Sequence, residues 1–110
     1  GNHYPKGMIM QAVFSATTAG TDSGATATAS ADGQKSYVVT RISGHIDADT
    51  ILTIKEGSSI VWESKIDVSV EGFSFHFPGL TLPMARNTAA TGNIVTSTAD
   101  CQVTISGYSI

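Results

Sequence analysis

The side chains best suited to chemistry in this 110-residue chain are three histidines, one cysteine and one pair of aspartates. Histidine can bind metals or transfer protons near neutral pH, and a deprotonated cysteine is a nucleophile or a metal ligand. His3, His45 and His76 lie far apart in the sequence, and no two of them have the spacing of a metal site. We therefore interpret the three histidines as surface residues and predict no metal site.

Asp47-Ala48-Asp49 is the carboxylate pair that most resembles a cation site. Calcium binds such oxygens, but it takes six or more ligands, and the sequence offers no further acid next to this pair. Aspartates also favour turns, because their side chains accept hydrogen bonds from the nearby backbone. The pair therefore predicts a turn.

Nucleophilic catalysis finds little support. Cys101 falls on the inward phase of a predicted strand, which favours a buried, unreactive thiol. The serines lack the Gly-x-Ser-x-Gly elbow, and the segment 20–24 lacks the Gly-Lys-Ser/Thr ending of a phosphate loop. We predict no catalytic, cofactor-binding or metal-binding residues and no cofactor, and we interpret the chain as a non-enzyme.

The aromatic side chains raise the question of carbohydrate binding, since sugars stack on exposed rings. Trp62 shares the phase of Ile60 and is expected in the core. Tyr4, Tyr37 and Tyr108 are candidates for exposure, but they are dispersed. Tyrosines at an oligomer interface explain them equally well, so both interpretations stay open.

Composition narrows the class of protein. Charged residues make up 14%, against roughly 25% in an average soluble domain, and the net charge is −3. The six Lys and Arg residues are scattered, so nucleic acid is not an expected partner. No apolar run approaches the roughly 20 residues that span a bilayer, and one cysteine cannot form an internal disulfide. A surface with few charges suits a protein that packs against other proteins.

The elements that must position these residues are strands, because apolar residues recur with period two and not with helical spacing. Alternation is clearest from 102 to 110, with Gly107 as a possible bulge, and it places Phe73, Phe75 and Phe77 on one face. In the segment 37–43, Val38, Thr40 and Ile42 are predicted to share a face opposite Tyr37 and Val39. Strands are predicted over 8–15, 37–43, 51–56, 59–65, 73–77, 93–98 and 102–110.

The segments 51–56 and 59–65 read as a hairpin that turns at 56–58, with Leu52 and Ile54 facing the same side as Ile60 and Trp62. The segments 1–7 and 17–31 are predicted to be an arm or loop, because 17–31 carries almost no side chain able to anchor a core. The segment 80–92 is expected to cross between sheets.

These patterns predict one all-β domain over 1–110, an antiparallel β-sandwich of about seven to eight strands. Periodicity does not distinguish a jelly-roll-like from an immunoglobulin-like topology, so both remain possible.

The order of these segments resembles small β-sandwich structural proteins of tailed bacteriophages. The resemblance covers most of the chain from Ala31 onward. It is carried by a strand pattern and not by a diagnostic motif. Its residues are Ala31-Asp32-Gly33-Gln34-Lys35-Ser36-Tyr37-Val38-Val39, Ile51-Leu52-Thr53-Ile54-Lys55-Glu56-Gly57, Ile60-Val61-Trp62, Phe73-Ser74-Phe75-His76-Phe77-Pro78-Gly79 and Cys101-Gln102-Val103-Thr104-Ile105-Ser106-Gly107-Tyr108.

The resemblance implies a capsid decoration or cement protein on the virion surface, with the major capsid protein or another virion protein as its partner. It also implies a homo-oligomer, a trimer on a lattice axis, and it brings no catalytic residues with it. The alternative that the residues leave open is a carbohydrate-binding or adhesive module of the tail-fibre type.

Overall fold

The computed structural model describes residues 12–20, 24–70, 72–78, 83–95 and 100–110. These residues form eight strands and one short 3-10 helix. The strands are β1 (Ala12–Gly20), β2 (Ala25–Ala29), β3 (Tyr37–His45), β4 (Thr50–Glu56), β5 (Ser59–Ile66), β6 (Gly72–His76), β7 (Ala90–Ile94) and β8 (Cys101–Ser109), and the 3-10 helix is Val68–Val70.

The strands form two four-stranded antiparallel sheets. Sheet A has the order β1-β8-β3-β6, and sheet B has the order β2-β7-β4-β5. β1 pairs with β8, β2 with β7, β3 with β6 and β4 with β5. This nested pairing is a long antiparallel ribbon wound into two Greek keys, which is the jelly roll. The predicted β-sandwich is confirmed, and the strand order selects the jelly roll over the immunoglobulin-like alternative.

The core lies between the two sheets and follows the period-two pattern. In β8, Cys101, Val103 and Ile105 are buried while Gln102 and Thr104 are not. Each fully buried aliphatic side chain stabilises the fold by roughly 1.5–3 kcal/mol relative to an exposed one. The largest fully buried side chains are Ile42, Leu52, Ile54, Met84, Ile94, Ile105, Val39 and Val103, with Thr53 and Cys101 beside them.

A bulge in β3 changes which residues face the core. Val39 pairs with Gly107 and Arg41 with Ser106, so Thr40 is the extra residue. Ile42 consequently shares the core with Val39 and Tyr37, and the predicted grouping of Ile42 with Val38 and Thr40 is wrong. A bulge is expected at Gly107 in β8, but the extra residue lies in the neighbouring strand β3, opposite Gly107. A Cβ atom at Gly107 would stand 2.0 Å from the Val38 carbonyl oxygen, so this close approach requires glycine.

A second bulge lies in the β4–β5 hairpin. The hairpin and its turn after Glu56 are confirmed, and Trp62 faces inward opposite Ile54. The register then shifts, so that Ile60 pairs with Lys55 and Val61 is the extra residue. Ile60 is 55% exposed, and the prediction that it faces inward is wrong.

The loop or arm predicted over 17–31 is wrong for most of that segment. β1 continues to Gly20, and β2 occupies Ala25–Ala29. Small side chains fill the space between the two sheets there, because the edges of the sheets approach closely. Ala27 of β2 is fully buried. The predicted arm 1–7 and the first part of the predicted strand 8–15 lie outside the described residues.

The connection from β6 to β7 crosses from sheet A to sheet B, as predicted for 80–92. Its described part, residues 83–89, contains no strand, and Met84 from this part enters the core. β7 begins at Ala90, three residues before the predicted start of 93, and residues 96–98 of that prediction are outside the described part of the chain.

Candidate interaction surface

The two described histidines lie on the outer face of sheet A. His76 is opposite Arg41 and His45 is opposite Gly72, so about 13 Å of strand separates them. Ser74 Oγ accepts a hydrogen bond from Arg41 Nε at 3.2 Å and lies 3.4 Å from His76 Nε2. Both histidines are exposed, as predicted. His3 is outside the described residues.

Asp49 of the predicted turn accepts a hydrogen bond from the backbone, and so does Asp67, which follows β5. Asp49 Oδ1 accepts a hydrogen bond from the Val68 N–H at 2.8 Å, and Asp67 Oδ1 accepts one from the Ser69 N–H at 2.8 Å. These two carboxylates therefore hold the 3-10 helix that follows β5. Hydrogen bonds from the Ser69 backbone and side chain lower the pKa of the Asp67 carboxyl, because they stabilise its charged form.

The acids and histidines do not converge on one point. His45, Asp47 and Asp100 border one shallow depression, and Asp49 and Asp67 border another. Within the described ranges, no group of three or more His, Cys, Asp or Glu side chains is placed to hold a metal ion.

Cys101 is buried, as predicted, at 1% exposure. It lies opposite Gly20, where β1 ends. Burial raises the pKa of the Cys101 thiol because the charged thiolate is poorly solvated there. The nearby negative charge of Asp100 acts in the same direction, and a hydrogen bond with the Gly20 backbone opposes both. A thiol held neutral and out of solvent is a poor nucleophile.

The tyrosines do not form a stacking platform among the described residues. Tyr37 is 4% exposed, so its predicted exposure is wrong, and its hydroxyl donates to the Ser30 carbonyl at 2.7 Å. Tyr108 is partly exposed and lies opposite Val13 and Val38 in sheet A. Tyr4 is not among the residues described.

Trp62 closes the gap between β5 and β6. Its ring centroid lies 5.3 Å from those of both Phe75 and Phe77, in tilted and edge-on geometry. All three side chains are partly buried and pack against the core, as the sequence predicted for the aromatic face of β6 and for Trp62. The cluster therefore belongs to the sandwich interior and its margin.

The surface with the most distinctive chemistry is the outer face of β1 and β8, which we call the hydroxyl face. None of its side chains is charged. Ser15 lies opposite Ser106, and Thr17 lies opposite Thr104 with 2.8 Å between their Oγ1 atoms. Its residues are Val13, Ser15, Thr17, Ala19, Gln102, Thr104, Ser106 and Tyr108.

Sequence reasoning missed the hydroxyl face because it assigned 17–31 to a loop. The signal that was present is short: apolar and hydroxyl side chains alternate over Phe14-Ser15-Ala16-Thr17 with the period of a strand, and Thr18-Ala19 reverses the order. Periodicity gives the two faces of each strand, but it does not give the pairing of β1 with β8 that joins them into one surface.

No protein-family model matches the chain, and searches of curated proteins and of solved structures found no match. No helix in the described parts of the chain has the length and hydrophobicity needed to span a membrane.

Proposed function

We propose that this chain is a non-enzymatic structural protein of a virion, a capsid decoration or cement protein that binds the major capsid protein or another virion protein and stabilises the shell. The observation that carries the proposal is the hydroxyl face. It is an uncharged sheet surface nine residues long, and charged residues are depleted at the centres of protein interfaces.

The fold also supports this proposal. Jelly rolls occur in viral capsid and lectin domains, among others, and one fold can host unrelated functions. A rigid sandwich that bridges neighbouring shell subunits would stabilise the lattice by mass action, because it binds only the assembled form. The surface of the shell is the location that follows. A symmetric homo-oligomer is part of the proposal, and the bacteriophage resemblance implies that on the shell it is a trimer around a lattice axis.

Co-sedimentation with mature, expanded shells of the parent virus tests the proposal. We expect the protein to pellet with the shells, and Thr104→Lys to weaken binding at least about tenfold, because an unpaired charge would be buried in the contact. Thr91→Lys is the matched control. It makes the same change on the central strand β7 of sheet B, and we expect it to bind like the wild type. Absence of binding at every salt concentration would contradict the proposal.

The second candidate is a carbohydrate-binding or adhesive module. It is supported by Tyr108, a partly exposed ring beside the hydroxyl side chains of β1 and β8. A glycan array distinguishes the two candidates. Binding to a defined sugar that is lost in Tyr108→Ala but kept in Thr91→Lys would favour this second function over shell binding.

A further inference from the structure

β1 is an edge strand without the usual protection of an edge. Natural sheets protect their edges with charges, prolines, bulges or short strands. β5 has a bulge together with Glu63 and Lys65, and β2 and β6 are five residues long. β1 has nine residues in unbroken register with β8, with no charge and no proline. Within the described ranges, no strand pairs with its other edge.

We propose that β1 pairs with β1 of a second copy of this chain, antiparallel about a two-fold axis that passes through Ala16. An edge strand carries backbone N–H and C=O groups that point away from its sheet, and a second strand can satisfy them. Sheet A of one copy would then continue into sheet A of the other as one eight-stranded sheet.

The side chains of β1 are self-complementary about Ala16. On the outer face, Val13 would lie opposite Ala19 of the second copy, and Ser15 opposite Thr17. On the inner face, Phe14 would lie opposite Thr18. On the outer face, apolar groups therefore lie opposite apolar groups and hydroxyls lie opposite hydroxyls. A two-fold interface requires such a match, because every contact occurs twice, once in each direction.

Exposure and charge favour the same contact. Val13 is 90% exposed, the highest value among the large exposed hydrophobic residues of the described chain. β2 runs along the same side of the sandwich and is also uncharged, so the two edges together present fourteen strand residues without charge repulsion between copies.

The area of this side is enough for a concentration-dependent dimer. Nine residues extend over about 30 Å, and two sheets about 10 Å apart, with their side chains, give a side about 20 Å wide. Each copy would therefore bury about 600 Å², or about 1,200 Å² in total, which is at the lower end for specific interfaces.

Side-chain packing also fixes the conformation of β1 before any pairing. The Phe14 ring lies 4.9 Å from the Tyr37 ring, and Tyr37 is fixed by its hydrogen bond to Ser30. A strand anchored in this way loses little conformational freedom on pairing, so less of the interaction energy is spent on ordering it.

This dimer goes beyond the proposed function and does not depend on it. The trimer implied by the resemblance needs a different contact, since antiparallel pairing of identical strands closes as a two-fold. Failure to bind shells would leave the dimer untouched, and a monomer in solution would leave shell binding untouched.

Light scattering behind a sizing column tests the dimer with the full chain. We expect the mass to rise from 11.4 kDa toward twice that value as the concentration increases. Ser15→Lys should weaken the dimer at least about tenfold, because two lysines would sit about 7–8 Å apart across the two-fold. Ser59→Lys makes the same change on the exposed start of β5 and should leave the mass profile unchanged.

Each outcome of that experiment decides the question. A monomer at all concentrations overturns the proposal. A trimer overturns it as well, and so does a dimer that Ser15→Lys and Ser59→Lys affect equally. Circular dichroism shows whether each variant is folded, so that loss of the dimer is not confused with unfolding.

Cysteine cross-linking tests the register independently. In a Cys101→Ala background, Ala16→Cys places two thiols opposite each other at the two-fold, within reach of a disulfide. The control, Ala19→Cys, places them six residues apart along the strands, or about 20 Å. We expect oxidation to cross-link Ala16→Cys and not Ala19→Cys. Equal cross-linking, or the reverse order, would overturn the register.

Discussion

The two open sides of the sandwich are closed in different ways. On the β1–β2 side the backbone closes on itself where β1 ends, since a Cβ atom at Gly20 would stand 2.0 Å from the Gly24 carbonyl oxygen. On the β5–β6 side the sheets are bridged by the ring of Trp62 against Phe75 and Phe77. The first side has uncharged edges, whereas β5 carries Glu63 and Lys65.

The difference between the two sides indicates that one stabilises the monomer and the other is suited to contacts between copies. Large aromatic side chains contribute most where they close the core, and charged edge residues oppose pairing with another chain. Small residues let the other side close tightly, and among the described residues no strand pairs with the outer edge of β1. The β1–β2 side is therefore the one that we assign to contacts between copies, and the β5–β6 side is the one that stabilises the monomer.

The largest expected effect is on the β5–β6 side. Trp62→Ala should lower the free energy of unfolding by about 3 kcal/mol, the lower end of the range for this change, because Trp62 is only partly buried. Denaturant unfolding monitored by far-UV circular dichroism measures it. Trp62→Phe keeps a ring in place and should cost about 1 kcal/mol. A loss below about 1 kcal/mol in Trp62→Ala would mean that the aromatic rings do not hold this side closed.

An intermediate effect is expected on the β1–β2 side. Gly20→Ala brings a methyl group against the backbone of Gly24, and the shift needed should cost about 2 kcal/mol. Gly33→Ala is the matched control, because nothing lies within 4 Å of the added Cβ and the effect should stay within about 0.5 kcal/mol. Equal stability of the two variants in denaturant unfolding would argue against tight backbone contact on this side.

The smallest expected effect is the pH dependence of the free energy of unfolding that comes from Cys101, which lies opposite Gly20. Its pKa is raised in the folded protein, so the folded state keeps the proton at pH values where the unfolded thiol loses it. This contribution is therefore fully present below the ordinary pKa of a thiol and is lost as the pH rises through the higher pKa of the folded state. Unfolding free energies of the wild type should fall from pH 8 to pH 10 relative to those of Cys101→Ala. Parallel pH profiles for the two proteins would show that the thiol is not buried.

Sequence periodicity predicted the sandwich, the β4–β5 hairpin and the inward faces of β6 and β8, because these strands carry large apolar residues at every second position. It failed where the phase shifts within a strand. Thr40 and Val61 are extra residues in bulges, and nothing in the local alternation identifies them before the partner strand is known.

Prediction of the surface was limited for a different reason. In β1 and β2 the inward residues are mostly alanine, with one threonine and one glycine, and such small side chains give little hydrophobic periodicity to recognise. Their burial depends on the neighbouring sheet and not on their own hydrophobicity. The hydroxyl face and the β1 edge depend on long-range pairing, and short-range patterns do not contain that information.

The position of β8 in the middle of sheet A has a consequence for synthesis on the ribosome. Every described strand of sheet B has been synthesised once residue 94 has been made, but sheet A lacks its link between β1 and β3 until residues 101–109 follow. The pair Thr17 and Thr104, joined across 87 positions, belongs to the slow class of contacts that form late in folding. Until then β1 lacks its partner β8, so the nascent chain is most exposed to pairing with the wrong strand just before its last described strand is made.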